Sequence, residues 1–136
     1  MDITGLTAFL DKEFAQVAQD FTVLRVEEDL LEVRLNVAER HLRPGGTVSG
    51  PTMFALADVA MYLAILARLG PVALAVTTNC SIDFMRKPEA GRGLVAQARV
   101  LKLGRVLAVG DVMIRSEGAQ DPVARAGLTY SIPPAR

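Results

Sequence analysis

Asp58 is the only charged side chain between Gly45 and Leu66, a stretch otherwise built of apolar and small neutral residues. Dehydration disfavours the charged form of any carboxylate unless a donor or cation compensates, and proteins tune general bases in this way. A buried structural acid, bonded to backbone amides or paired with an arginine across an interface, is the alternative reading. Upstream, Gly50 and Pro51 open the same helix, so loop amides and the positive end of the helix dipole converge near Gly50. That end is suited to holding a developing oxyanion. The helical rise places Gly50 and Asp58 about 12 Å apart along the axis, too far for both to serve one carbonyl within one chain. If they cooperate, the two halves come from different subunits.

The elements that must position these groups follow from periodicity. Leu6, Phe9, Leu10, Phe14, Val17 and Phe21 recur at three- and four-residue spacing, which predicts an N-terminal amphipathic helix over about 4–20. Leu31, Val33, Leu35 and Val37 alternate with polar residues as a strand with one wet face. The Gly- and Pro-rich stretch from Glu39 to Pro51 reads as a loop, and the central helix runs over about 51–69, ended by Gly70-Pro71. Next comes a long strand, about 73–85. Its period of two puts Leu74, Val76, Thr78, Cys80, Ile82 and Phe84 on an apolar face and Ala75, Thr77, Asn79, Ser81 and Asp83 on a small polar one. Strands near 93–103, 105–116 and 122–132 follow, joined by short turns that imply antiparallel neighbours. A helix apolar almost all round needs covering on most sides, and a curved antiparallel sheet wrapped around it supplies that cover. The expected class is α+β, in a single domain over 1–136.

Fifteen basic and fifteen acidic residues cancel, so no global field recruits nucleic acid or an acidic membrane surface. The single cysteine, Cys80, and single histidine, His41, leave no disulfide framework and no ligand set for structural zinc. A reducing, cytoplasmic compartment fits, and the acidic N-terminus shows no secretory signal. Asp58 and Arg68 also interrupt the apolar helix well short of the roughly 20 residues a bilayer core needs. At 51% hydrophobic residues so small a domain cannot hide its apolar surface alone, which points to an oligomer. His41 reads as a solvated loop residue, and Cys80 as a small core residue.

"HLRPGGTVSGPTMFALADVAMYLAI" together with "AVTTNCSIDFMRKP" resembles the phenylacetic-acid-type, PaaI-like thioesterases of the hotdog-fold superfamily. The first stretch is similar to that family's N-P-x-G-x-x-H-G-G loop and the helix bearing its aspartate. The second is similar to its long central strand, ending in an aromatic, a basic residue and proline. The resemblance implies a hotdog fold, a homodimer paired along the long strand with possible association to a homotetramer, and an acyl-CoA thioester as substrate. Asp58 then stands for the general base or nucleophile, Gly50 N–H for the oxyanion donor, and Thr77 for a hydroxyl that helps hold the attacking water. No metal or separate cofactor is implied, coenzyme A being part of the substrate.

The sequence also departs from that motif. Ser49 replaces the usual histidine, Pro51 the second glycine and Arg43 the upstream asparagine. Ser49 keeps a small donor, whereas Pro51 removes an N–H. Arg43 could polarise the carbonyl, bind a CoA phosphate or face water. Arg86, Lys87 and Arg92 read either as strand-end solvation or as a basic patch for the CoA phosphates. The expected function is hydrolysis of a short-chain or aromatic acyl-CoA. The alternative is a non-catalytic dimer that binds acyl-CoA or an aromatic acid, to which the missing histidine and asparagine point.

Overall fold

The computed structural model describes residues 1–72 and 74–134. Ala73, where the long strand was expected to begin, and the last two residues lie outside the described residues. Helix α1 (Ile3–Glu13) leads into β1 (Phe21–Val26) and β2 (Leu30–Leu35), then helix α2 (Gly50–Leu69), then β3 (Val76–Phe84), β4 (Leu94–Leu103), β5 (Leu107–Ser116) and β6 (Pro122–Ser131). The six strands form one antiparallel sheet in the order β1-β2-β4-β5-β6-β3. Helix α2 packs against β2, β3, β4, β5 and β6, the α+β hotdog architecture of a curved sheet around a central helix. Leu56, Leu63, Ile65 and Leu66 of α2 meet Val33, Leu94, Val112 and Ile114 of the sheet, all fully buried. By length and composition α2 could cross a membrane, yet 56% of its apolar window is buried inside this protein. Its hydrophobicity is that of a core helix.

Helix α1 stops at Glu13 rather than running to about residue 20. No glycine or proline marks that stop: Phe14, the C-cap, leaves helical geometry at φ −133° and ψ 46°, and the sheet takes up the chain a few residues on. Asn36 donates its backbone N–H to the Asp20 carbonyl at 2.7 Å and its side-chain amide to the Gln19 carbonyl at 3.0 Å. These bonds draw the segment into a short 3₁₀ turn, Ala18–Asp20, and Phe21 pairs with Leu35 at the start of β1. Phe14 and Val17 still face α2, so their spacing reported the buried side correctly while the backbone left the helix.

Strand β3 departs from strict alternation as well. Thr77 pairs with Tyr130 and Asn79 with Thr129, so Thr78 is an extra, bulged residue. The inward face therefore changes parity at the bulge. Thr77 shares the inner side with the half-buried Cys80 and Ile82, while Val76 is 55% exposed instead of joining them. Strand β3 is also the last in the sheet, with one edge unpaired among the described residues.

Candidate functional site

Asp58 is half-buried on α2, and two hydroxyls converge on one of its oxygens. Thr77 Oγ1 donates to Oδ1 at 2.5 Å, and Tyr130 Oη lies 2.7 Å from the same Oδ1 and 3.0 Å from the Asp58 carbonyl. Both donors fall on Oδ1; Oδ2 takes neither. Burial first, and the bond to Asp58 next, push the Tyr130 phenol far above its usual ionisation range, so it remains a protonated donor. These groups border a cavity of about 430 Å³ that Phe14, Val17, Val59 and Tyr62 make largely apolar. Sequence reading found Asp58 and Thr77 but not Tyr130. Only the β3–β6 register sets Tyr130 opposite Thr77.

The N-terminus of α2 faces a different cavity, of about 410 Å³, lined by Gly50 with Arg43, Met53, Phe84, Arg86 and Lys87. The loop before it is shaped by Gly45 and Gly46, whose φ values of 101° and 82° lie in the left-handed region that favours glycine. Ser49 is the helix N-cap. Its Oγ accepts from Thr52 N–H at 3.3 Å and donates to Thr52 Oγ1 at 2.9 Å, which commits the hydroxyl. Met53 N–H bonds the Ser49 carbonyl and Pro51 has no N–H. Among the described residues, the Gly50 N–H is thus the uncommitted donor of this helix turn. Both departures at positions 49 and 51 are good helix-start chemistry.

The expected basic cluster is divided. Arg86 and Lys87 border the Gly50 cavity with Arg43, although Arg86 also donates to the Pro122 carbonyl at 2.9 Å and lies 3.6 Å from Asp121. Arg92 borders neither cavity; it pairs with Glu89 at 2.7 Å. Cys80 sits near Asp58, and burial, then the Asp58 charge, push its thiol pKa up, against a nucleophilic role.

His41 is not a solvated loop residue: it is 7% exposed. Its Nδ1 accepts from Ala38 N–H at 2.8 Å, so its proton sits on Nε2, which faces Asp20 Oδ2 at 3.4 Å. Arg40 already pairs with Asp20. The His41 carbonyl in turn accepts from Ser49 N–H at 2.9 Å, tying the loop beside Gly50 to the start of β1. Burial, and then the Arg40 charge, hold the imidazole below its ordinary pKa of 6.5. With the folded pKa depressed, the neutral form favours the fold. This contribution is complete above 6.5 and is lost as the pH falls through the folded value. Between about pH 7 and about pH 5, urea-unfolding stability is expected to fall more steeply in the parent than in His41→Asn, whose Oδ1 can keep the Ala38 bond without titrating. Parallel pH profiles would show that another group takes up the proton.

The profile of the thioesterase superfamily matches residues 45–123, a segment that includes Gly50, Asp58 and Thr77. The chain belongs to the thioesterase superfamily. This hotdog, PaaI-like member is 60% identical to the crystal structure of a provisionally assigned thioesterase from a Silicibacter species, with a TM-score of 0.93 over 98% of this chain and 93% of that one. It is 26% identical to the acyl-coenzyme A thioesterase PaaI of Escherichia coli over 125 residues, covering 92% of this chain and 87% of that protein. It is 37% identical to a Deinococcus radiodurans protein provisionally named an esterase, over 69% of this chain. That match spans 62% of the Deinococcus protein.

Proposed function

We propose that this thioesterase-superfamily chain hydrolyses an acyl-CoA thioester in a site shared between two subunits. The observation that carries the reading is Asp58, held on Oδ1 by Thr77 and Tyr130 at the edge of an apolar cavity. In the general-base form of this proposal, Oδ2 takes a proton from water as the water oxygen bonds to the acyl carbon. The charge that develops on the thioester oxygen is met by a Gly50 N–H. The C–S bond then breaks, and the proton passes to sulfur, giving a carboxylic acid and the CoA thiol. In the nucleophile form, Asp58 Oδ2 bonds to the acyl carbon as the C–S bond breaks and the CoA thiolate leaves. Water then hydrolyses the resulting anhydride, releasing the carboxylic acid and restoring the Asp58 carboxylate. Arg43, Arg86 and Lys87 supply local cations for CoA phosphates in an otherwise neutral protein.

Two observations support a shared site. Gly50 and Asp58 border separate cavities in one chain, and β3 ends the sheet with an unpaired edge. Pairing that edge with its symmetry mate would remove an aggregation hazard and bring the cavities of two chains together. The aromatic walls Phe14, Tyr62 and Tyr130 favour a short or aromatic acyl group.

Thiol release from short, medium, long and aryl acyl-CoAs tests the function directly. The expected result is turnover, highest for short-chain or aryl substrates. A second reading, non-catalytic binding of the same ligands, draws on the committed Ser49 hydroxyl and the single Gly50 donor. Ligand-dependent thermal stabilisation without thiol release on any of the substrates would establish it and reject hydrolysis.

A further inference from the structure

We infer that Tyr130 is a positioning residue for Asp58, fixing which carboxylate oxygen is left to react; this rests on the proposed role of Asp58 as base or nucleophile. A phenol 2% exposed must find an acceptor, and the Asp58 carbonyl at 3.0 Å would meet that need alone. The carboxylate oxygen at 2.7 Å is nearer and, being charged, the stronger acceptor. The phenol has one proton, so its principal bond goes to Oδ1, the oxygen Thr77 already engages.

The convergence is built by the fold. Thr77 and Tyr130 are register partners on β3 and β6, and the Thr78 bulge lies just beyond them. That bulge lets Thr77 face inward beside Tyr130 while Cys80 and Ile82 stay on the core side. The Tyr130 ring packs on Tyr62, centroid to centroid 6.1 Å, and Tyr62 makes a T-shaped pair with Phe14 at 5.5 Å. Both hydroxyls therefore reach Asp58 from rigid elements.

A clamp on Oδ1 has a specific chemical use. When Oδ2 takes up a proton or an acyl carbon, Oδ1 becomes carbonyl-like but remains an acceptor, so both hydroxyls hold their bonds through the step. The carboxylate need not rotate or exchange partners as it reacts, which is the condition for low reorganisation. Tyr130 lies beyond the segment the family profile matches, so the role comes from this chain's own geometry.

Tyr130→Phe keeps the ring and removes the hydroxyl. On the best acyl-CoA of the panel, kcat is expected to fall about 10- to 100-fold with KM within about twofold, and the thermal midpoint should fall only by the share of one lost hydrogen bond. An unchanged kcat would overturn the inference. So would a fall in kcat matched by a parallel rise in KM, since that is the signature of a packing role. Asp58→Asn, measured alongside, separates the two claims. A nearly inactive Asn variant beside a fully active Tyr130→Phe rejects only the positioning role, whereas an active Asn variant, or a parent that releases no thiol, rejects both.

Discussion

Asp58→Asn should lower thiol release by about 10²- to 10⁴-fold, the range lost with a general base, while folding and association stay intact. Asparagine is nearly isosteric, and its Oδ1 can still accept from Thr77 and Tyr130, the bonds that tie α2 to β3 and β6. What disappears is the basic oxygen. The partner substitution is Gly50→Pro, which deletes the one uncommitted N–H of the helix start. Ser49 already has φ −74° and ψ 156°, the extended conformation required before proline. Position 50 itself precedes Pro51, and a Cβ there meets the Phe84 ring at 3.4 Å, so circular dichroism and subunit association are compared between the parent and this variant. Its expected cost is about 10²- to 10³-fold. Each variant is therefore nearly silent alone. A mixed dimer would join the intact Gly50 of one chain to the intact Asp58 of the other and recover up to one working site. Verified subunit exchange with no recovered activity would reject a shared site, and an active monomer would do so more directly.

Gly110→Ala is expected to be the most damaging single methyl group in the sheet. A Cβ there would stand 2.3 Å from Met61 Cε and 2.4 Å from the Arg99 carbonyl oxygen. The methionine can move; the carbonyl belongs to the backbone of β4, paired across the β4–β5 ladder. Relief requires shifting a strand against α2, so a loss of about 3 kcal/mol or more is expected, at or beyond the upper end for overpacking. Urea unfolding of parent and variant measures it. A difference within about 0.5 kcal/mol, the scale of an innocuous surface change, would mean that β4 and α2 do not approach Gly110 this closely.

Legibility in the sequence tracked how local the determining physics was. Pro51 and Gly70 are local start and stop chemistry, and α2 at Gly50–Leu69 agrees closely with the expected 51–69. Strands β4, β5 and β6 were similarly readable from alternation and turn residues. The end of α1 was not, because the segment after it is held by Asn36, distant in sequence, through Gln19 and Asp20 as it turns into β1. His41 looked like a wet loop residue because Asp20, which its Nε2 faces, comes near only when the loop folds back to the start of β1. At the site, Asp58 was conspicuous as a lone charge, and Thr77 was picked out by resemblance. Tyr130 needed a sheet order and a register that no local pattern encodes. The two adjacent threonines, Thr77 and Thr78, gave no sign of which one would bulge.

That bulge also sets where a second copy of β3 could lie. Regular alternation is unbroken only from Asn79 to Phe84, so a second copy paired along the free edge would find regular partners there and not at the bulge. At the far end of that stretch Phe84, Met85 and Arg86 border the Gly50 cavity, while Thr77, bonded to Asp58, lies at the bulged end. One extra residue in a strand would then act as a ruler, aligning the acid of one chain with the amide of the other.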